Sequence, residues 1–146
     1  MKTISTIGSL LKRIYRHYSN ELLKGLQNRG FTDLRPSFLE VLIVICEREG
    51  ASIKEIGHEC GLKKQTMTSH LNELEKREYI TRKINPKDKR EQNIHLTQMG
   101  EKFKLALMET LEEVEASFTS KVGAVELERT QFVLKNLMKQ VIGEDL

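Results

Sequence analysis

Ile7, Leu10, Leu11, Ile14, Tyr18, Leu22 and Leu26 recur at steps of three and four residues, the period that keeps apolar side chains on one helical face. They predict one long amphipathic helix over about residues 5–28, ending near Gly30. Pro36 can open a second helix, because a first-turn residue has no intrahelical use for an amide hydrogen. The residues that follow, SFLEVLIVIC, are apolar on nearly every side, so this helix belongs in the middle of a core. In ASIKEIGHECG, Ser52 and Glu55 form a capping box ahead of Ile56, which predicts a short helix over 53–60 that stops at Gly61. From Leu62 to Lys76 a further helix turns Met67, Leu71 and Leu74 inward. Two short helices joined by a tight glycine-containing turn make a helix-turn-helix, whose second helix can enter a DNA major groove.

Beyond that helix the period changes to two. Ile80 and Ile84 flank TRK, Ile94 and Leu96 flank His95, and the two alternating runs enclose NPKDKR, which reads as a hairpin with a basic tip. Thr97 is placed to cap a long helix that carries Phe103, Leu107, Leu111, Val114, Phe118 and Val122 on one stripe. A break at VGA, residues 122–124, precedes a last helix with Leu127, Phe132, Leu134, Leu137, Met138 and Val141. Met99, Met108 and Met138 are read as core residues. The fold class is therefore mainly α, a winged helix-turn-helix with a three-helix core and a two-stranded β wing, flanked by N- and C-terminal helices. The expected division is 1–30, an N-terminal dimerisation helix; 31–97, the DNA-binding domain; and 98–146, the C-terminal dimerisation helices. The outer stripes carry more apolar surface than a winged unit of about 60 residues can cover, so they are expected to pack on each other and on a second copy.

Composition agrees with helices. Charged residues make up 31% of the 146-residue chain and aromatics 5%, with no Trp, which suits solvated helix faces better than a β-sandwich. The longest apolar run, VLIVIC at 41–46, is far below the roughly 18 residues a membrane span needs, and residues 1–30 lack a leader-like pattern; a cytoplasmic protein is expected. Cys46 and Cys60 are too few for a disulfide framework, and neither lies in a CxxC. The net charge of +3 hides an uneven distribution. Residues 63–90 hold nine Lys or Arg against four acids, whereas residues 98–146 hold six against nine. Positive potential is thus gathered around the helix and hairpin, as a phosphate-binding surface requires. On that helix Lys64, Gln65, Thr68, Ser69 and Asn72 form a donor-rich face with little hydrophobicity.

The block IKEIGHECGLKKQTMTSHLNELEKREYI, the hairpin NPKDKR and the LTQMG that starts the long helix together resemble the MarR family of bacterial transcriptional regulators. The resemblance extends over nearly the whole chain, because the order and lengths of the outer helices also agree. It implies a homodimer that sets each recognition helix in a major groove of a pseudo-palindromic double-stranded DNA operator, with Lys64, Gln65, Thr66, Thr68, Ser69 and His70 near the DNA. The family's wing motif of Asp, any residue and Arg is here Asp88, Lys89 and Arg90. It implies that Arg90 reaches into the minor groove while Asp88 holds its guanidinium. A planar, weakly hydrated guanidinium suits that narrow space on chemical grounds alone. Lys87 and Lys89 are point charges suited to phosphates rather than to base edges. One departure stands out: the family usually has Gly after the recognition helix, where this chain has Glu78, a residue that enters the left-handed region only with strain.

The function implied is transcriptional regulation, more often repression, with room for a small-molecule effector that alters the spacing of the recognition helices. A rival reading is a winged-helix protein–protein interaction module. Another is a thiol- or metal-responsive regulator using Cys46 or the pair His58/Cys60, with Glu55 one helical turn away. Zinc needs about four ligands and no second close pair is present. Burial at the end of an apolar helix would make Cys46 inert. The family's peroxide-sensing branch carries its cysteine in the first helix, and residues 1–30 contain none. Tyr15 and Tyr18 suit helix packing or the lining of an effector pocket. No phosphate-cradling glycine loop, nucleophile elbow or paired-carboxylate motif occurs, so no catalytic residue, metal or cofactor is expected.

Overall fold

In the computed structural model, which describes residues 1–143, the elements follow in the expected order: α1 (Thr3–Asn28), α2 (Pro36–Glu47), α3 (Ile53–Cys60), α4 (Lys64–Lys76), β1 (Ile80–Asn85), β2 (Asp88–Leu96), α5 (Gln98–Val122) and α6 (Ala124–Val141). The last three positions of the segment 98–146 lie outside the described residues. The chain forms two compact units that meet within α5, residues 1–110 and those from Leu111 onward.

In the first unit α2 is the central element, as its all-round apolar character requires. Phe38, Leu39, Val41, Leu42 and Ile45 are buried among Leu22 and Leu26 of α1, Ile56 of α3 and Met67, Leu71 and Leu74 of α4. Pro36 sits in its first turn after an extended Arg35. Burying each such side chain contributes roughly 1.5–3 kcal/mol. Phe31, Tyr79 and Phe103 close one end of this core, Phe103 meeting the other two rings edge-on at 5.6 and 5.8 Å. The Tyr79 hydroxyl donates to Asp33 Oδ1 at 2.7 Å. Burial, and then that carboxylate, raise its pKa well above the usual range for tyrosine, so it remains a donor at any physiological pH.

The turn between α3 and α4 is built by local chemistry. Ser52 Oγ accepts from the Glu55 amide at 3.1 Å and opens α3, and Gly61 ends it in the left-handed conformation at φ 65°. Gly57 lets the two helices approach: a Cβ there would stand 3.1 Å from Met67 Cγ. After α4 the chain again turns through the left-handed region, at Glu78 with φ 69°, the single non-glycine residue with positive φ among those described. The departure from the family pattern therefore leaves the turn itself in place, and the cost falls on the backbone. A left-handed non-glycine residue costs roughly 1–2 kcal/mol, and the Glu78 side chain is exposed. Glu78→Gly is accordingly expected to stabilise the protein by about 1 kcal/mol after glycine's greater unfolded-state freedom is subtracted. Urea denaturation with an unchanged slope would measure it; a destabilised variant would show that Glu78 makes a compensating contact.

β1 and β2 pair antiparallel, Ile80 opposite Leu96 through Ile84 opposite Gln92. The hairpin does not hang free. Gly50 donates to the Ile94 carbonyl and the Ile94 amide to the Ala51 carbonyl, at 2.8 and 2.9 Å, so the stretch before α3 acts as a short third strand. The junction into α5 is equally tight: Thr97 Oγ1 accepts from the Gly100 amide at 3.0 Å, and the Thr97 amide donates to the Tyr79 carbonyl at 3.1 Å.

Two expectations about burial change. Met99 and Met108 are exposed, because α5 turns Gly100, Phe103, Ala106, Leu107 and Thr110 inward and the two methionines fall outside that line. The stripe of α1 is buried only in its C-terminal half; Leu10, Leu11 and Ile14 are exposed. In the second unit, Val114 of α5 is buried, whereas α6 buries none of its side chains and leaves Phe132, Val133, Leu137 and Val141 exposed.

Candidate nucleic-acid interface

The donor-rich residues of α4 lie where the helical period places them. With Met67, Leu71 and Leu74 in the core, Lys64, Gln65, Thr66, Ser69 and Asn72 are exposed and Thr68 is half-buried. Not all of these donors are free to reach outward. The Thr68 hydroxyl donates back to the Lys64 carbonyl at 2.9 Å, which leaves its oxygen lone pairs and methyl group to face a partner. His70 is half-buried, its ring edge-on to Phe38 at 5.4 Å. Of the expected set it is the residue most engaged with the protein's own core. Asn72 accepts a hydrogen bond from the Arg82 guanidinium of β1.

The hairpin tip is narrower and more ordered than its sequence indicates. Only Pro86 and Lys87 lie between the strands; Asp88, Lys89 and Arg90 already belong to β2. Asn85 pairs with Asp88 but Ile84 pairs with Gln92, so Lys89, Arg90 and Glu91 are an excess on β2. Such an irregularity re-aims the side chains it carries. Asn85 organises the turn: its Oδ1 accepts from the Lys87 amide, and its Nδ2 donates to Glu91 Oε2, both at 2.9 Å. Asp88 Oδ1 accepts from the Arg90 amide at 3.0 Å and from Arg90 Nε at 3.2 Å. The Arg90 side chain is 93% exposed. An exposed ion pair of this kind adds little stability. What it does is hold the Nε edge of a guanidinium while the rest projects into solvent. Lys87 and Lys89 are exposed beside it.

Between α4 and the hairpin runs a groove of about 790 Å³, lined among others by Lys54, His58, Lys64, Thr68, Asp88 and Arg90. Its rim brings Lys64 and Thr68 of α4 and Arg90 of β2 to one side of the first unit. Sequence reasoning missed two features of this region: Arg82, counted there only as a positive charge, and the pairing of Gly50–Ser52 with β2 that seats the wing against α3. Neither has a periodic signature.

The remaining candidates are poor chemical groups. Burial pushes the Cys46 thiol up to about 12 against a partial opposing effect of Lys104, and burial with Glu40 and Glu59 pushes Cys60 up to about 11. Both are thus protonated near neutrality and weak nucleophiles. No group of three or more His, Cys, Asp or Glu among the described residues is arranged to hold a metal ion. Tyr15 and Tyr18 meet at a tilt of 45° with ring centroids 6.1 Å apart, and Tyr15 is half exposed. No helix among the described residues is long and apolar enough to cross a membrane.

Known proteins share this arrangement. Residues 34–92, from just before α2 to the middle of β2, match the model of the MarR family. The HTH-type transcriptional regulator SarZ of Staphylococcus aureus strain USA300 is 34% identical over 98 residues, 67% of this chain; the match spans 62% of the length of that relative. Among solved structures, a MarR-family transcriptional regulator from Rhodococcus sp. RHA1 superposes with a TM-score of 0.76 at 20% identity, covering 100% of this chain and 99% of that one. A MarR transcriptional regulator from Methanosarcina mazei Go1 gives 0.80 at 16% identity, covering 95% and 98%. At these identities the two structures speak for the fold.

Proposed function

The chain belongs to the MarR family, and from that premise we propose that it is a sequence-specific DNA-binding transcriptional regulator, acting as a homodimer, and more narrowly a repressor open to small-molecule control. The observation that carries this reading is the wing: Arg90 is 93% exposed yet held by Asp88, on the same side as the uncovered donor face of α4. In the complex, Lys64, Gln65, Thr66, Thr68, Ser69 and Asn72 face the major groove, with His70 at its edge. Arg90 enters the adjacent minor groove, and Lys87 and Lys89 meet phosphates. Residues 31–97 form the DNA-binding part. Work on the chromosome places the protein in the cytoplasm.

The test is direct. Double-stranded fragments retained by the purified protein from a random pool are sequenced, and the selected site is titrated at several salt concentrations. Each phosphate neutralised releases counterions, so affinity is expected to fall steeply, by about 10³-fold or more between 50 and 200 mM salt for some six contacts. Affinity without that slope, or no enrichment of any sequence, would favour the rival reading of a protein-binding winged helix.

The homodimer rests on apolar surface. Residues 1–30 and 98–146 are the proposed dimerisation segments, since Leu10 and Ile14 of α1 and Phe132, Val133 and Leu137 of α6 are exposed. Each helix leaves apolar side chains uncovered, and large uncovered apolar surface is uncommon on monomers. A second copy covers it and sets two recognition helices about 34 Å apart, one turn of DNA. An effector would have to bind two such spacings with different affinity, or it would shift nothing. Leu137→Asp places a charge in the proposed interface, and a buried unpaired charge costs several kcal/mol. Sedimentation equilibrium should find the parent dimeric at micromolar concentration and the variant monomeric, with operator affinity lost although residue 137 lies outside the proposed DNA contacts. A monomeric parent that binds its operator tightly would sink the paired mechanism.

A further inference from the structure

Arg82 of β1 is largely enclosed. Its side chain is 16% exposed, its register partner across the sheet is the fully buried Ile94, and its Nε lies buried without a hydrogen bond, 3.7 Å from Glu75 Oε1. One terminal nitrogen donates to Asn72 Oδ1. The guanidinium thus joins β1 to two residues of α4, one of which, Asn72, stands at the exposed, donor-rich face together with Gln65 and Ser69.

This contact has a chemical consequence. A guanidinium has no acceptor, so it can bond only the oxygen of the Asn72 amide. The amide nitrogen is thereby turned away from the wing and outward. An asparagine that reads adenine must offer both ends of its amide, accepting from N6 and donating to N7. With its oxygen directed at Arg82, Asn72 presents its donors outward and cannot set oxygen and nitrogen together against one adenine edge. We propose that Arg82 is a positioning residue that holds Asn72 with its amide nitrogen outward, so that Asn72 donates to acceptors of the DNA (guanine N7 or O6, thymine O4 or a phosphate oxygen) and does not make the paired contact with adenine, which needs the amide oxygen to accept from N6. The same contact ties the angle of the wing, and with it Arg90, to the recognition helix. The inference rests on the DNA-binding reading above and specifies the chemistry of one contact within it.

Three variants test it beside the parent. Arg82→Met keeps the apolar stem and removes the donors. Asn72→Asp keeps an acceptor for Arg82 but replaces the outward nitrogen with an anionic oxygen. Arg82→Lys keeps one donor. Binding-site selection and titration at fixed salt should show Asn72→Asp losing affinity about tenfold or more, the scale of one lost contact. Arg82→Met should relax base preference at the position that Asn72 faces, with adenine newly tolerated, and weaken binding by a similar factor. Arg82→Lys should restore much of the parent's preference. Hydrogen exchange, which needs no DNA, should show faster exchange of the Thr81 to Ile84 amides in Arg82→Met while the amides of α2 keep their protection. Selection of the same sequence with the same affinity by parent and Arg82→Met would overturn the proposal, even if the variant melted at a lower temperature. Retention of affinity by Asn72→Asp would do so too. Failure of the parent to select any DNA would instead remove the DNA-binding reading, and unchanged hydrogen exchange in the wing would then dispose of the clamp separately.

Discussion

Arg90→Ala is expected to weaken operator binding by about 1–3 kcal/mol per subunit, the scale of a lost charge-assisted hydrogen bond, and by about twice that when both wings of a dimer engage. The protein should stay folded. With 93% of the Arg90 side chain in solvent, its removal uncovers no core, and the exposed pair with Asp88 adds little to stability. The loss is therefore legible as binding alone. Arg90→Lys separates charge from shape: it retains the positive charge but not the planar fork that Asp88 grips through Nε. Its affinity should fall between parent and Ala, with the salt dependence of the parent. For the alanine variant the slope of log affinity against log salt should shrink by about one per lost phosphate-like contact. Fluorescence anisotropy with the selected site decides the matter, and equal affinities for all three proteins would take the wing out of the mechanism.

The largest expected effect on stability is at Gly100. A Cβ there would lie 2.2 Å from the Tyr79 carbonyl oxygen and 3.0 Å from Leu96 Cδ2, and the nearer of these is backbone, which cannot rotate aside. That carbonyl already accepts from the Thr97 amide, and the Gly100 amide is bound to Thr97 Oγ1. To admit even a methyl group, the start of α5 must move off the end of β1, and the junction hydrogen bonds stretch with it. Overpacking of this kind costs about 1–3 kcal/mol and more where backbone must shift, so Gly100→Ala is expected near the upper end, about 3 kcal/mol. For a chain of this length that corresponds to a fall in Tm on the order of 10 °C. Differential scanning calorimetry would measure it. A variant as stable as the parent would mean that α5 can slide on the wing without cost.

Gly100 also shows where reading a sequence reaches its limit. The motif LTQMG was recognisable as the start of a long helix, and Thr97 caps it as expected, yet the reason for its glycine is a carbonyl on Tyr79, at the start of the wing. Glu78 is the converse. Its departure from the family pattern was visible in the sequence, and it was the backbone that absorbed it, adopting φ 69° with an exposed acidic side chain. The Asp88 and Arg90 pair was implied by resemblance at a separation of two residues and is present with both an amide and a side-chain hydrogen bond. Its place within β2, projected by an irregular register, was not.

What the sequence determined by itself is the part of the structure whose causes act within about four residues along the chain. The inward line Met67, Leu71 and Leu74, the box of Ser52 and Glu55, the left-handed stop at Gly61, the helix start at Pro36 and the break at Gly123 each need only near neighbours, and each leaves a periodic or compositional mark. Tertiary structure alone decided which line of α5 faces the core, leaving Met99 and Met108 outside it. It also decided that Gly50–Ser52 would pair with β2, that the His70 ring would rest on Phe38, and that Arg82 would take the oxygen of Asn72. These contacts join residues brought together only when separate elements pack. Their free energy depends on distance and desolvation in the folded state rather than on any repeat along the chain, and so the linear pattern carries no trace of them.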